Sequence, residues 1–210
     1  MEAFIDDQHK PKMTGSTRVF KNDTLEWLSR THISIPLILF TGISSWLIYF
    51  GMTDRGLTNN SVIILFVSGL LFFTFVEYIA HRFIFHMTPK TAAQKKFAYT
   101  AHGVHHDFPK DKDRLVMPIP ASLTFTLVFF LIYQLIMGAM VYGFLPGFLM
   151  GYAAYLWVHY MVHAFRPPKN FFRILWVHHS IHHYKESDKA FGVSSPLWDI
   201  IFKTMPTTSK

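Results

Sequence analysis

The sequence has no cysteine, little charge and few acidic residues. Zero cysteine excludes a disulfide framework, a thiolate zinc site, an iron–sulfur cluster and a thiol nucleophile. Only 16% of the 210 residues are charged, against about 25% in an average soluble domain. Lys and Arg number 20 against 13 Asp and Glu, a formal charge of +7. An excess without density argues against a nucleic-acid module, which needs a concentrated basic face. The first thirty residues also lack the basic head, apolar stretch and cleavage site of a signal peptide. Residues 1–32 read as a cytoplasmic or interfacial segment, ending in a helix around Leu25–Arg30.

In place of charge there are long apolar runs. Ile33 to Gly51 and Ser61 to Val76 carry none, and Leu115 to Phe165 contains no Asp, Glu, Lys or Arg at all. One crossing takes about 20 residues of helix, so the last run suits two. Gly143-Phe144-Leu145-Pro146-Gly147 is the expected break, because Gly and Pro punctuate helical patterns. The expected architecture is an all-α integral membrane protein with spans near 33–51, 61–80, 121–142 and 147–164. Helices alone satisfy their own backbone at that length in lipid. All but one of the Lys and Arg, the exception being Arg55, fall in 1–32, 81–120 or 165–210. The positive-inside rule makes those segments, and both termini, cytoplasmic.

The chain is rich in histidine, with 13. All but His9 and His32 fall in four clusters on the expected cytoplasmic side: His81 and His86; His102, His105 and His106; His159 and His163; and His178, His179, His182 and His183. Residues three and four apart share a helix face. The rings of His102, His105 and His106 therefore point one way, as do those of His179, His182 and His183, while His159 and His163 form an i,i+4 pair. His81 and His86 are five apart, about 140° around an α-helix, and converge only if the helix bends, frays or spans two metals. Burying so many imidazoles near lipid is costly unless they are paired or coordinated. Neutral imidazole ligates Zn, Cu, Fe and Ni, and ten ligands suit two ions. A pH-sensing or proton-relay cluster is the alternative. Among the nearby acids, Asp107, Asp111, Asp113, Glu186 and Asp188 read as solvated surface. Glu77 and Asp199 stand in apolar surroundings, where each suits either orienting a ligating His through its free N–H or partnering a buried donor such as Arg82.

These clusters resemble the histidine boxes of the integral-membrane fatty acid hydroxylase / sterol desaturase superfamily. The resemblance rests on Glu77-Tyr78-x-x-His81-Arg82-Phe83-x-Phe85-His86, His102-Gly103-x-His105-His106, His159-Tyr160-x-x-His163 and His178-His179-x-x-His182-His183. Arg114-Leu115-Val116-Met117-Pro118, Pro120-Ala121-Ser122 and Phe191-Gly192-Val193-Ser194-Ser195-Pro196-Leu197-Trp198-Asp199 are similar to the fatty acid 2-hydroxylase branch. The resemblance covers about residues 30 to 206.

It implies a four-helix transmembrane base under a cytoplasmic helical cap that holds two metal ions. The implied ligands are His81, His86, His102, His105, His106, His159, His163, His179, His182 and His183, with His178 as an extra neighbour. The implied metal is iron, although imidazole accepts zinc as readily. The implied reaction is O2-dependent hydroxylation of a lipid acyl chain, at C-2 of a fatty acyl group such as that of a sphingolipid. Relatives often carry an N-terminal cytochrome b5-type domain. The thirty-odd residues before the first span are too few for one, so a separate cytochrome b5-like or ferredoxin-like donor and its reductase are expected. The aromatic pairs Phe72-Phe73, Phe129-Phe130 and Phe171-Phe172 suit packing better than an acyl groove. Two other readings use the same residues: a hydroxylase or desaturase of a carotenoid or sterol, and a metal transporter or sensor. Transport wants polar residues at the membrane midplane, and these spans are bare there.

Overall fold

A computed structural model describes residues 11–207, and among them every regular element is helical. In chain order these are α1 (Asp23–Leu28), α2 (Ser34–Thr53), α3 (Asn59–Ile79), α4 (Ala92–Ala98), α5 (Val104–Asp107), α6 (Ile119–Met137), α7 (Val141–Ala164), α8 (Arg173–Tyr184) and α9 (Leu197–Ile201). The α1 helix matches the one expected around Leu25–Arg30, while His9 lies outside the described residues. Three stretches are long and apolar enough to cross a membrane: Ser34–Thr53, Asn59–Phe85 and Lys112–Ala164. The third holds both α6 and α7. Large apolar side chains project outward from these helices, among them Ile38 (73% exposed), Ile64 (66%) and Leu135 (88%). Apolar surface on this scale belongs against lipid rather than water.

The expected break between the last two spans is misplaced. The chain turns at Gly138–Met140, and Gly143, Pro146 and Gly147 lie inside α7. Gly138 supplies the turn with φ of 57°, a left-handed value that suits glycine. Pro146 removes one hydrogen bond from α7, a loss that membrane helices tolerate. The helices accordingly start and end a few residues from the expected spans, at 119–137 and 141–164 rather than 121–142 and 147–164.

The small residues of α7 serve helix packing instead. A side chain at Gly147 would run into the Phe66 carbonyl, and one at Gly69 into the Phe144 carbonyl. Without a hydrophobic drive between helices in lipid, close backbone approach at small residues supplies the attraction. The contacts also fix direction. Leu65 lies against Gly143 and Phe73 against Gly151, so α3 and α7 run parallel. Phe40 meets Tyr152 and Phe50 meets Tyr142, so α2 runs antiparallel to α7. Ser122 reaches Tyr152 and Tyr133 packs on Phe144, so α6 does the same. The parallel register that pairs Phe73 with Gly151 also sets His81 level with His159. Phe73, Phe129 and Phe130 pack among these helices, as expected of core aromatics. Phe72 also packs on Tyr133, Phe144 and Phe148, and its outer side lines an apolar groove with Leu71, Phe75 and Trp198.

Replacing Gly147 by Val is expected to lower stability by about 1–3 kcal/mol or to abolish folded yield, because the core must open to admit the new atoms. Gly42→Ala, at a position with open space around it, is the control and leaves stability intact. Equal thermal unfolding of the two variants in detergent contradicts this packing.

Candidate metal centre

The ten boxed histidines come together at one end of the helices as two groups of five. His81, His86, His102, His106 and His182 form the first. His105, His159, His163, His179 and His183 form the second. Within each group one ring nitrogen per residue lies within 4.8 Å of all the others.

Local helix geometry explains how each cluster is dealt out. The untidy pair, His81 and His86, converges because α3 widens into a π-helix over Ala80–Phe85. The His86 N–H reaches back to the His81 carbonyl at 3.1 Å, five residues away. A π turn holds more residues than an α turn and so brings i and i+5 toward one face. A second π segment, Tyr99–Gly103, leads into α5 and turns His102 inward. The two triads are each split between the groups. His102 and His106 serve the first and His105 the second, while His182 serves the first and His179 and His183 the second. The groups abut where the His106 and His183 rings stack at 4.1 Å.

The nitrogen geometry tests whether a metal fits. Three Nδ1 atoms donate to backbone carbonyls: His81 to Phe191 at 2.5 Å, His182 to Lys189 at 2.7 Å and His159 to Leu115 at 3.0 Å. A neutral imidazole with its proton on Nδ1 presents a lone pair at Nε2. Those lone pairs face other Nε2 atoms: His81 to His102 at 3.1 Å, His182 to His86 at 3.0 Å and His159 to His105 at 2.9 Å. His163 and His179 meet at 2.8 Å in the same way. His183 is buried with no hydrogen-bond partner on either nitrogen. Imidazole–metal bonds run about 2.0–2.1 Å, so nitrogens at these separations can share one ion. In a cation-free cluster each facing pair needs one ring to carry its proton on Nε2, and His183 still has a buried lone pair with no donor; a bound cation satisfies these lone pairs together. The donor set fits a pair of metal ions.

Burial, followed by the neighbouring imidazoles, holds His102, His105, His106, His179, His182 and His183 well below the ordinary histidine pKa. They are therefore neutral at physiological pH, the form that ligates.

His178 is not part of either group. One step along α8 from His179, it faces away and donates from Nε2 to Asp199 at 3.0 Å. His178 is therefore not the extra ligand that its place beside His179 suggests. Glu77 and Asp199 do not touch a grouped imidazole either. Glu77 accepts from the Val193 and Ser194 N–H groups, and Arg82 turns to the Tyr78 hydroxyl instead. Asp199 accepts from the Phe191 and Gly192 N–H groups and from Thr204. Burial works to raise the Asp199 pKa, but His178, Thr204 and Gly192 outweigh it and keep the group ionised. Sequence reasoning missed the carbonyls of Leu115, Lys189 and Phe191, since a backbone acceptor leaves no residue-type signal. It also missed Tyr155, whose ring stacks parallel on His159 at 5.6 Å.

A family model described as fatty acid hydroxylase matches residues 66–204. The chain belongs to the fatty acid hydroxylase family. It is 36% identical to the mouse (Mus musculus) fatty acid 2-hydroxylase over 97% of its own length and 60% of that protein's. It thus spans less than two thirds of the mouse relative. It is 32% identical to the dihydroceramide fatty acyl 2-hydroxylase FAH1 of Arabidopsis thaliana, over 95% of this chain and 85% of that one. Among solved structures of the family, full-length scs7p, with only its hydroxylase domain visible, superposes with a TM-score of 0.86. That match has 30% identity and covers 96% of this chain and 77% of the other.

The lowered histidine pKa values set a pH dependence. The unfolded chain takes up protons near pH 6.5 that the folded chain refuses, so stability is full above that pH and declines as pH falls below it. Metal-stripped protein is expected to melt progressively lower from about pH 7.5 to about 5.5. A flat profile contradicts burial of neutral imidazoles.

Proposed function

We propose that this chain is a membrane di-iron oxygenase that hydroxylates C-2 of a lipid acyl chain, such as that of a ceramide. The observation that carries the reading is the pair of five-imidazole groups, in a family whose similar members include 2-hydroxylases of fatty acids and dihydroceramide. The ten grouped histidines would hold one ion per group. Two irons held there would supply O2 activation and oxidation of an unactivated C–H bond, with two electrons from a cytochrome b5-like or ferredoxin-like partner.

The chain's own residues do the rest. Nδ1–H donation from His81, His159 and His182 to carbonyls fixes each ring and keeps Nε2 free to bind. All ten histidines are buried or nearly so, which keeps bulk water from the reacting centre. Helices α2, α3, α6 and α7 each cross the membrane, and the histidine end faces the cytoplasm under a cap made by residues 81–120 and 165–207. Support for this orientation comes from the antiparallel order, which gathers the C-termini of α3 and α7 with the N-termini of α2 and α6. That is also the end where the basic residues collect. A head group at this interface brings the first carbons of an acyl chain nearest the ions, which fits C-2. The apolar groove lined by Leu71, Phe72, Phe75 and Trp198 offers the remaining chain a surface.

Expression in a host that lacks 2-hydroxy acids, with a reductase supplied, is expected to yield 2-hydroxy acyl lipids by mass spectrometry. The His105→Ala variant is expected to yield none. Absence of 2-hydroxy acyl chains despite bound iron, or hydroxylated sterol or carotenoid in their place, overturns the reading.

A further inference from the structure

The two histidine groups are braced from different parts of the chain. The first is backed by residues 189–194. Here four consecutive N–H groups are held by two buried carboxylates. Phe191 and Gly192 donate to Asp199 at 2.9 and 2.8 Å, and Val193 and Ser194 donate to Glu77 at 2.8 and 2.9 Å. The Ser194 hydroxyl also donates to Glu77. A side chain at Gly192 would press on the Asp199 carboxylate and the Ser195 carbonyl, so this tight loop requires glycine there. Carbonyls of the same loop reach the ions' ligands: Lys189 accepts from His182 and Phe191 from His81. Both histidines belong to the first group. His178 completes the arrangement by donating to Asp199.

The second group receives no such bond from this loop among the described residues. Its backed ring is His159, whose partner is the Leu115 carbonyl. That carbonyl sits in a loop tied to the N-terminal segment. Arg114 pairs with Glu26 and donates to the Ser29 hydroxyl at 3.1 Å, and the Thr31 N–H donates to the Asp113 carbonyl at 2.9 Å. Glu26 is fixed in turn by the N–H groups of Val19 and Phe20.

We propose that Asp199 and Glu77 are positioning residues for the first ion site alone, and Arg114 with Glu26 for the second, so that the two sites can be weakened one at a time. The inference rests on the reading that each group binds one ion. Acting through backbone carbonyls, the carboxylates set the direction in which His81 and His182 present Nε2. Polar partners behind a ligand typically change metal affinity by about 10–100-fold when removed.

The test uses the full chain in detergent, loaded with zinc(II) as a redox-silent probe, with ions per chain measured by elemental analysis and folding by circular dichroism. Wild type is expected to hold two ions. Asp199→Asn presents the Gly192 N–H and His178 with an amide N–H in place of an acceptor, and is expected to hold one tight ion, the other weakened about 10–100-fold. At a zinc concentration that fills the second site but not the weakened first, adding His86→Ala to that variant leaves one ion. Adding His159→Ala leaves none. Arg114→Met gives the reverse pairing. If Asp199→Asn does not fold, Glu77→Gln and His178→Phe are scored the same way. A folded variant that keeps both ions, loses both together or shows the opposite pairing overturns the inference. Wild type that binds no zinc overturns the metal reading itself and the inference with it.

Discussion

The burial of ten neutral imidazoles, with their nitrogens turned toward one another, governs the architecture of this protein. Ten imidazoles converge at one end of a helical bundle, and three of them are locked by carbonyls into the tautomer that leaves Nε2 unprotonated. Facing nitrogens 2.8–3.1 Å apart are repulsive when no proton or ion lies between them. The protein holds them there through rigid backbone partners. The chain has no cysteine, and among the described residues neither group includes a carboxylate, so ions held there would bring charge that neutral imidazoles do not cancel.

The membrane helices explain how such a site is held. α3 and α7 run parallel and touch backbone to backbone at Gly69 and Gly147, with the Leu65 and Phe73 side chains seated against Gly143 and Gly151. Their shared register places His81 and His159 at one level, where one leads the first group and the other the second. From there the π turn at Ala80–Phe85 and the loops at 107–116 and 189–194 complete the two sites. Close packing below and hydrogen-bonded loops above hold the imidazoles turned toward each other.

Much of this was legible in the sequence because the physics acts through residue type. Uncharged runs marked the long helices, and histidines at i, i+3 and i+4 marked the shared faces. The motifs pointed to the family that the comparisons then established. What the sequence hid depended on backbone geometry. Gly143-Phe144-Leu145-Pro146-Gly147 looked like a turn because Gly and Pro usually break helices, whereas in lipid the same residues serve helix contact. The five-residue spacing of His81 and His86 looked wrong for one site because an α-helix was assumed. His178 looked like a ligand because it sits beside one, yet a single step along α8 aims it at Asp199. Glu77 and Asp199 stand out in the sequence as acids in apolar surroundings, suited to orienting a ligating His or to partnering a buried donor. Their targets are peptide N–H groups rather than ligand rings, and residue identity does not reveal that.

The central claim is that each five-histidine group holds one ion through Nε2 nitrogens and nothing else from the side chains. X-ray absorption at the metal edge of the loaded protein measures this directly. The account predicts two ions per chain, each with a shell of imidazole nitrogens at about 2.1 Å and the outer-ring scattering typical of histidine. A single ion per chain, or a shell dominated by carboxylate oxygen, contradicts it.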